Sequence, residues 1–187
     1  MRARAATRVT AMREIEVKVI EIDKPSIVQK LLALGAAKVF DGEIDAIVYD
    51  FPDTRLEKAD STLRLRKKGD KTELTVKTVL SQSGSRTSDE IEVLVSDFET
   101  AQRILSAIGM VVLRRGAKMR TSYRLGDTLF EIDEWGDVPP FMEIEAPDEA
   151  TIDSFIVKLG LPKENVKNWT SKQLRAHYET LRVTKSF

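Results

Sequence analysis

Glutamates spaced two apart recur along the chain, as Glu14-Ile15-Glu16-Val17, Glu90-Ile91-Glu92-Val93 and Glu143-Ile144-Glu145-Ala146. Bases follow the same spacing: Lys18 beyond Glu16, then Arg64 and Arg66, Lys77, and Lys118, Arg120 and Arg124. Glu131 and Asp133 complete the series. A spacing of two puts side chains on one face of a β-strand, so most of these runs present one sign of charge on one face. Carboxylates with no thiolate or imidazole among them suit a hard divalent cation, Mg²⁺ or Mn²⁺, over zinc or copper. Arginine forks and lysines match phosphate oxygens. A metal-chelated polyphosphate satisfies both sets.

The elements that must position these residues are legible from periodicity. Each Glu-x-Glu run is followed by a polar break and a helical pattern ending in a hydrophobic-Gly pair: Leu34-Gly35, Ile108-Gly109 and Leu159-Gly160. The apolar faces read Ile27, Leu31, Leu32 and Leu34 after Pro25, then Phe98, Ala101, Ile104, Leu105 and Ile108 behind Ser96 or Asp97, then Ile152, Phe155, Ile156 and Leu159. Spacings of three and four with a terminal glycine mark amphipathic helices. Alternating strands lie between them, including Leu63–Arg66, Leu74–Lys77, Lys118–Arg124 and Phe130–Asp133. Lys68-Gly69-Asp70, Leu125-Gly126-Asp127 and Gly136-Asp137-Val138-Pro139-Pro140 are turns, and Gln82–Ser88 is a mobile loop. The expected fold is α+β, with about eight mostly antiparallel strands, external helices and a C-terminal helical tail over about 162–182.

Composition sets the outer limits. The chain has 187 residues, 42% of them hydrophobic, enough for a sizeable core. Its 30 bases balance 30 acids, which argues against nucleic acid as a partner. There is no cysteine, hence no disulfide or thiolate chemistry. No apolar run reaches the roughly 20 residues that span a bilayer, so no membrane is expected and the localisation expected is cytoplasmic. Met1 to Ala11 carries arginines and no acid, and reads as a disordered extension, with Met12 as an alternative start.

The charges should face inward. A solvated strand face mixes signs and polar types, whereas here serine and threonine seldom interrupt the charged parity. If the sheet closes, the apolar parity packs under external helices and the charged parity lines a lumen. Such a lumen is costly unless opposite charges nearly balance.

These residues resemble those of the CYTH family, also called triphosphate tunnel metalloenzymes. Glu14-Ile15-Glu16-Val17-Lys18 is similar to its Glu-x-Glu-x-Lys hallmark, and Leu63-Arg64-Leu65-Arg66 to its Leu-Arg-x-Arg. Lys77, Glu90 with Glu92, Lys118 with Arg120, Asp133, and Glu143 with Glu145 follow in the family's order, from Met12 to about Leu161. The resemblance implies an eight-stranded antiparallel closed β-barrel, a tunnel, in a single domain over 12–187. It implies that Lys18, Arg64, Arg66, Lys77, Lys118 and Arg120 bind the phosphate chain. Glu14, Glu16, Asp133, Glu143 and Glu145 would hold Mg²⁺ or Mn²⁺, and Glu90 and Glu92 would bind metal or orient the bases. Glu14, Glu16, Lys18 and Lys77 would take part in catalysis. The implied activity is hydrolysis of tripolyphosphate or of an organic or nucleoside triphosphate by a monomer or homodimer. The alternatives are an adenylyl cyclase and a noncatalytic polyphosphate- or nucleotide-binding module.

Two departures bear on that choice. In Asp45-Ala46-Ile47-Val48-Tyr49-Asp50-Phe51-Pro52-Asp53, Val48 and Tyr49 stand where the family has an aromatic pair, so a tyrosine–lysine pairing is absent or shifted. Val39-Phe40 replaces the His-Phe of many class IV adenylyl cyclases, which lowers the expectation of cyclisation. Of the remaining residues, His177, Trp169 and Tyr178 read as surface or packing residues of the terminal helix, whose apolar face is Leu174, Tyr178 and Leu181. That helix could cap a tunnel mouth. Trp135 reads as core or rim packing, with base stacking as the functional alternative. Lys67 and Lys68 read as a solvated hairpin tip.

Overall fold

A computed structural model describes residues 10–184 of the chain. Strands alternate with helices in the order β1 (Thr10–Val19), α1 (Lys24–Ala33), β2 (Ala37–Asp50), α2 (Arg55–Lys58), β3 (Ser61–Lys68), β4 (Lys71–Ser81), β5 (Arg86–Val95), α3 (Phe98–Ala107), β6 (Val111–Leu125), β7 (Thr128–Trp135), β8 (Val138–Ala146), α4 (Glu149–Leu159), β9 (Val166–Lys167) and α5 (Ser171–Thr184). The expected extension over 1–11 lies outside the described residues as far as residue 9, and Thr10 and Ala11 open β1.

All nine strands belong to one sheet, ordered β5-β4-β3-β2-β6-β7-β8-β1-β9. An additional β5–β1 pairing closes β1 to β8 into an antiparallel barrel and leaves β9 outside it. Closure removes the exposed edges that an open sheet would have to protect.

Two compact units divide the chain. One contains Glu43–Leu80 and Ser88–Ala117, and its core packs Ile47 and Tyr49 of β2 and Leu63 and Leu65 of β3 under Phe98, Ala101 and Leu105 of α3. The other contains Glu14–Gly42, Ser81–Thr87 and the chain from Lys118 onward. There Val17, Val19, Phe130, Ile132, Met142 and Ile144 pack under Ile27 and Leu31 of α1 and Ile152, Phe155, Ile156 and Leu159 of α4. In both, the apolar strand parity meets helices, as the alternation requires.

The helices begin and end where the sequence signals them. Asp97 caps α3 by accepting from Thr100 N, and Asp148 caps α4 by accepting from Thr151 N. Pro25 sits in the first turn of α1. Gly35, Gly109 and Gly160 follow the three helices with φ of +87°, +87° and +61°.

Several expectations are corrected. Leu32, Leu34, Ile104, Ile108 and Leu181 are exposed rather than buried. One helix face packs on one sheet layer, and these residues lie beside that stripe. The loop expected over Gln82–Ser88 ends at Ser85, because β5 begins at Arg86. Its Gly84 makes the turn at φ +76°, and Ser85 is fastened through its N–H and hydroxyl to Glu149 Oε1 at 3.1 and 2.6 Å. Val138, Pro139 and Pro140 belong to β8 rather than to a turn. The β1 register on β8 reaches only Met142, so neither proline must donate to β1. The tail is not wholly helical, since Val166–Lys167 pairs with Val19 and Lys18. Helix α2 was not expected: Asp50 is buried and accepts from the N–H groups of Phe51, Leu56 and Glu57 at 2.6, 3.0 and 2.9 Å.

Candidate functional site

Each unit carries its own charged cluster. In the unit containing β7 and β8, the antiparallel register sets Lys18 opposite Glu143, Glu16 opposite Glu145, Arg120 opposite Asp133 and Ser122 opposite Glu131. Facing positions stand close enough for side chains to meet. Lys18 Nζ lies 2.6 Å from Glu143 and 3.4 Å from Glu16. Arg120 donates to Asp133 through Nε and Nη2, each at 2.5 Å, and to Glu143 at 2.7 Å, and it also pairs with Glu131. Lys118 donates to Asp133 at 2.6 Å, and Ser122 to Glu131 at 3.2 Å. Glu16 pairs with Arg86 as well. The ion pairs therefore run unbroken from Arg86 through Glu16, Lys18, Glu143, Arg120 and Asp133 to Lys118.

The middle of this network is buried. Lys18 is 1% exposed, Arg120 3% and Asp133 fully buried. Charges so placed are held only while each is paired. Burial pushes the Lys118 ammonium pKa down to about 7, helped by Arg120 and opposed by Asp133 and Glu143. Burial would raise the Glu143 carboxyl, yet Lys18, Arg120 and Lys118 outweigh it and hold the group well below its ordinary range. Arg120 is likewise buried, but Asp133 and Glu143 raise its pKa further and keep it a cation.

The other unit has a second cluster on β3, β4 and β5. Arg64 and Lys77 approach Glu90 at 3.6 and 3.5 Å. Arg66 reaches Glu92 at 3.4 Å and pairs with Glu73, which faces it in register. Thr75 donates to Glu92 at 3.2 Å.

The sequence-derived residues thus fall into two groups: Glu14, Glu16, Lys18, Lys118, Arg120, Asp133, Glu143 and Glu145 in one unit, and Arg64, Arg66, Lys77, Glu90 and Glu92 in the other. Arg124 shares the parity of Arg120 but lies exposed near the β6–β7 turn. Arg86 and Glu73 were missed. Counting back by twos from Glu90 reaches Arg86, and from Lys77 reaches Glu73, so the same parity rule extended further would have found both.

Tyr49 is buried in the core with Ile47, Leu63 and Leu65. Trp135 packs edge-on to Phe141, and the Arg175 guanidinium covers its ring at 4.1 Å, so it is a packing residue with its face occupied. His177 lies between Trp169 and Tyr178, tilted to the first and edge-on to the second, with ring centroids 4.9 and 5.0 Å away.

Among the described residues, no group of three or more histidine, aspartate or glutamate side chains stands ready to hold a metal. Mg²⁺, however, is commonly held by one or two carboxylates together with substrate phosphates rather than by a protein cage. Glu16 and Glu145 face each other across β1 and β8, and two facing carboxylates, all oxygen, fit that mode. No helix among the described residues is long and apolar enough to cross a membrane.

Comparisons with known proteins agree with this architecture. The model of the CYTH domain matches residues 12–167. A protein of Methanocaldococcus jannaschii, named provisionally as an adenylate cyclase, is 28% identical over 134 residues, covering 72% of this chain and 77% of its own. A solved structure from Pyrococcus horikoshii superposes with a TM-score of 0.75 at 26% identity, covering 86% of this chain and 98% of that one. One from Hippeastrum, reported as a provisional adenylyl cyclase with a dominant triphosphatase activity, superposes with a TM-score of 0.64 at 16% identity, covering 90% and 96%.

Proposed function

The chain belongs to the CYTH family, and from that premise we propose that it hydrolyses a metal-chelated triphosphate, either tripolyphosphate or an organic or nucleoside triphosphate. The observation that carries the reading is the buried run of alternating acids and bases ending in Lys118. A protein that only needed stability would gain as much from apolar side chains there. A polyanion carrying its own cation can exchange partners with such a run without leaving any charge unpaired.

In the proposed mechanism, Lys18, Lys118 and Arg120 bind phosphate oxygens, and Arg64, Arg66 and Lys77 serve the same class of ligand. Glu14, Glu16, Asp133, Glu143 and Glu145, with Glu90 and Glu92, are the candidate donors for Mg²⁺ or Mn²⁺. Such a cation would neutralise phosphate charge as a Lewis acid. Glu14, Glu16, Lys18 and Lys77 are the residues assigned to catalysis. A water oxygen attacks the terminal phosphorus in line and gives its proton to one of the glutamates assigned to catalysis, the phosphoanhydride P–O bond breaks and the diphosphate leaves with its electron pair. Arginine and lysine donors stabilise the charge that grows on the oxygens in transit.

Cyclisation of ATP is the second reading, favoured by the name of the archaeal relative. Val39-Phe40 in place of His-Phe and the Arg175-covered face of Trp135 favour hydrolysis. The test is to incubate the protein with tripolyphosphate, ATP and thiamine triphosphate, each with Mg²⁺ or Mn²⁺, and resolve the products. Phosphate with the matching diphosphate is expected. Cyclic AMP as the main product would make it a cyclase, and binding without turnover a polyphosphate-binding module.

A further inference from the structure

Arg86 opens β5 and is buried, 8% exposed, with its guanidinium against Glu16. Glu16 also takes Lys18, and Lys18 takes Glu143, so Arg86 begins the ion-pair run as a fourth base beside Lys18, Lys118 and Arg120. It is placed firmly. The preceding Ser85 is tied to Glu149 by two hydrogen bonds, and Gln82 is tied to Asn168 O and Gln173, both at 3.1 Å. The guanidinium fork that meets the Glu16 carboxylate matches phosphate oxygens by the same geometry. A buried arginine this well anchored can exchange that carboxylate for a phosphate.

Glu16 is the group that shares its oxygens between Lys18 and Arg86. It faces Glu145 in register, and like charges directly opposite are unfavourable unless a cation or base sits with them. A divalent cation drawn to that pair competes with Arg86 for the same oxygens. We propose that Arg86 is a phosphate-binding residue that Glu16 holds in reserve, and that it passes to the triphosphate when Glu16 turns to a divalent cation. Substrate phosphate then replaces the carboxylate as the partner of the fork, and the buried guanidinium stays paired throughout. This account rests on the triphosphate reading and adds to it a residue and an order of partner exchange.

The test reads binding rather than turnover. Tripolyphosphate affinity is measured by calorimetry for the wild type, Arg86→Ala, Arg86→Lys, Glu16→Gln and the Glu16→Gln/Arg86→Ala double variant, with Mg²⁺ and again with EDTA. Thermal melts establish that each is folded. With Mg²⁺, Arg86→Ala should weaken binding about tenfold or more, the scale of a lost charge-assisted hydrogen bond, and Arg86→Lys should restore part of it. With EDTA, Glu16→Gln should bind about tenfold more tightly than the wild type, because its Arg86 is released, and the double variant should lose most of that gain. Wild-type affinity in folded Arg86→Ala under Mg²⁺ overturns the assignment, as does a gain kept in the double variant. If Arg86→Ala does not fold, Arg86→Lys decides: unchanged affinity overturns the proposal. A wild type that binds no tripolyphosphate in either condition overturns the triphosphate reading itself, and this proposal with it.

Discussion

At the residue scale the charged network makes two demands that can be measured. Glu16→Gln breaks the link between Arg86 and Lys18, and Arg66→Ala removes a base paired with Glu73 and Glu92. Both variants should lose turnover at least about a hundredfold, the cost of removing one electrostatic group from a site of this kind, while circular dichroism shows the strands intact. Lys118 makes the second demand. Its pKa of about 7 means that the folded protein has released a proton near pH 8 that the unfolded chain still holds. Stability should therefore rise with pH from about 7 toward the ordinary lysine range. A bound polyanion restores the charged form, so tripolyphosphate binding at pH 8 should take up close to one proton, seen in calorimetry as a dependence on buffer ionisation enthalpy. Binding with no proton uptake would return Lys118 to a purely structural role. Most of these residues were legible from spacing, because strand parity is a strict period of two. Arg86 was not, since it lies in the expected loop Gln82–Ser88 where β5 begins, and Glu73 was not, since it stands just ahead of the alternating run Leu74–Lys77 in a strand that starts at Lys71.

At the element scale the helices were legible because their caps are local chemistry. Asp97 and Asp148 each accept an N–H three residues on, and the glycine stops sit at positive φ. Which flank of each helix packs was less legible: periodicity marks Leu31 and Leu32 alike, yet Leu31 is fully buried and Leu32 is 54% exposed. Only the sheet beneath makes that distinction. Leu31→Ala should cost about 2–5 kcal/mol, whereas Leu32→Ala should stay within about 1 kcal/mol, as read from denaturant midpoints. Equal losses would put the helix in a different rotation. Strand β9 and helix α2 were illegible for another reason. The first is two residues long, and the second depends on Asp50 gathering three N–H groups.

At the scale of the whole molecule, closure of the sheet follows from which strands pair, and periodicity alone could state it only conditionally. The family motif series carried that step, and the β5–β1 pairing supplies it in the structure. The buried ion pairs of Glu143 tie stability to acid. Because Glu143 titrates well below 4.5 when folded, its ion pairs contribute fully above that pH and are lost as pH falls below it. Melting temperature should hold near neutrality and drop steeply below about pH 4.5. Lys18→Met should remove part of that dependence.

The central claim is that these charged strands bind a triphosphate and cut its terminal anhydride. The most direct measurement follows tripolyphosphate with Mg²⁺ by phosphorus NMR, in the presence of wild-type protein and of Glu16→Gln. The account predicts equal amounts of phosphate and diphosphate from the wild type, and none above background from Glu16→Gln. Unchanged tripolyphosphate in the presence of folded, metal-supplied wild-type protein would contradict it.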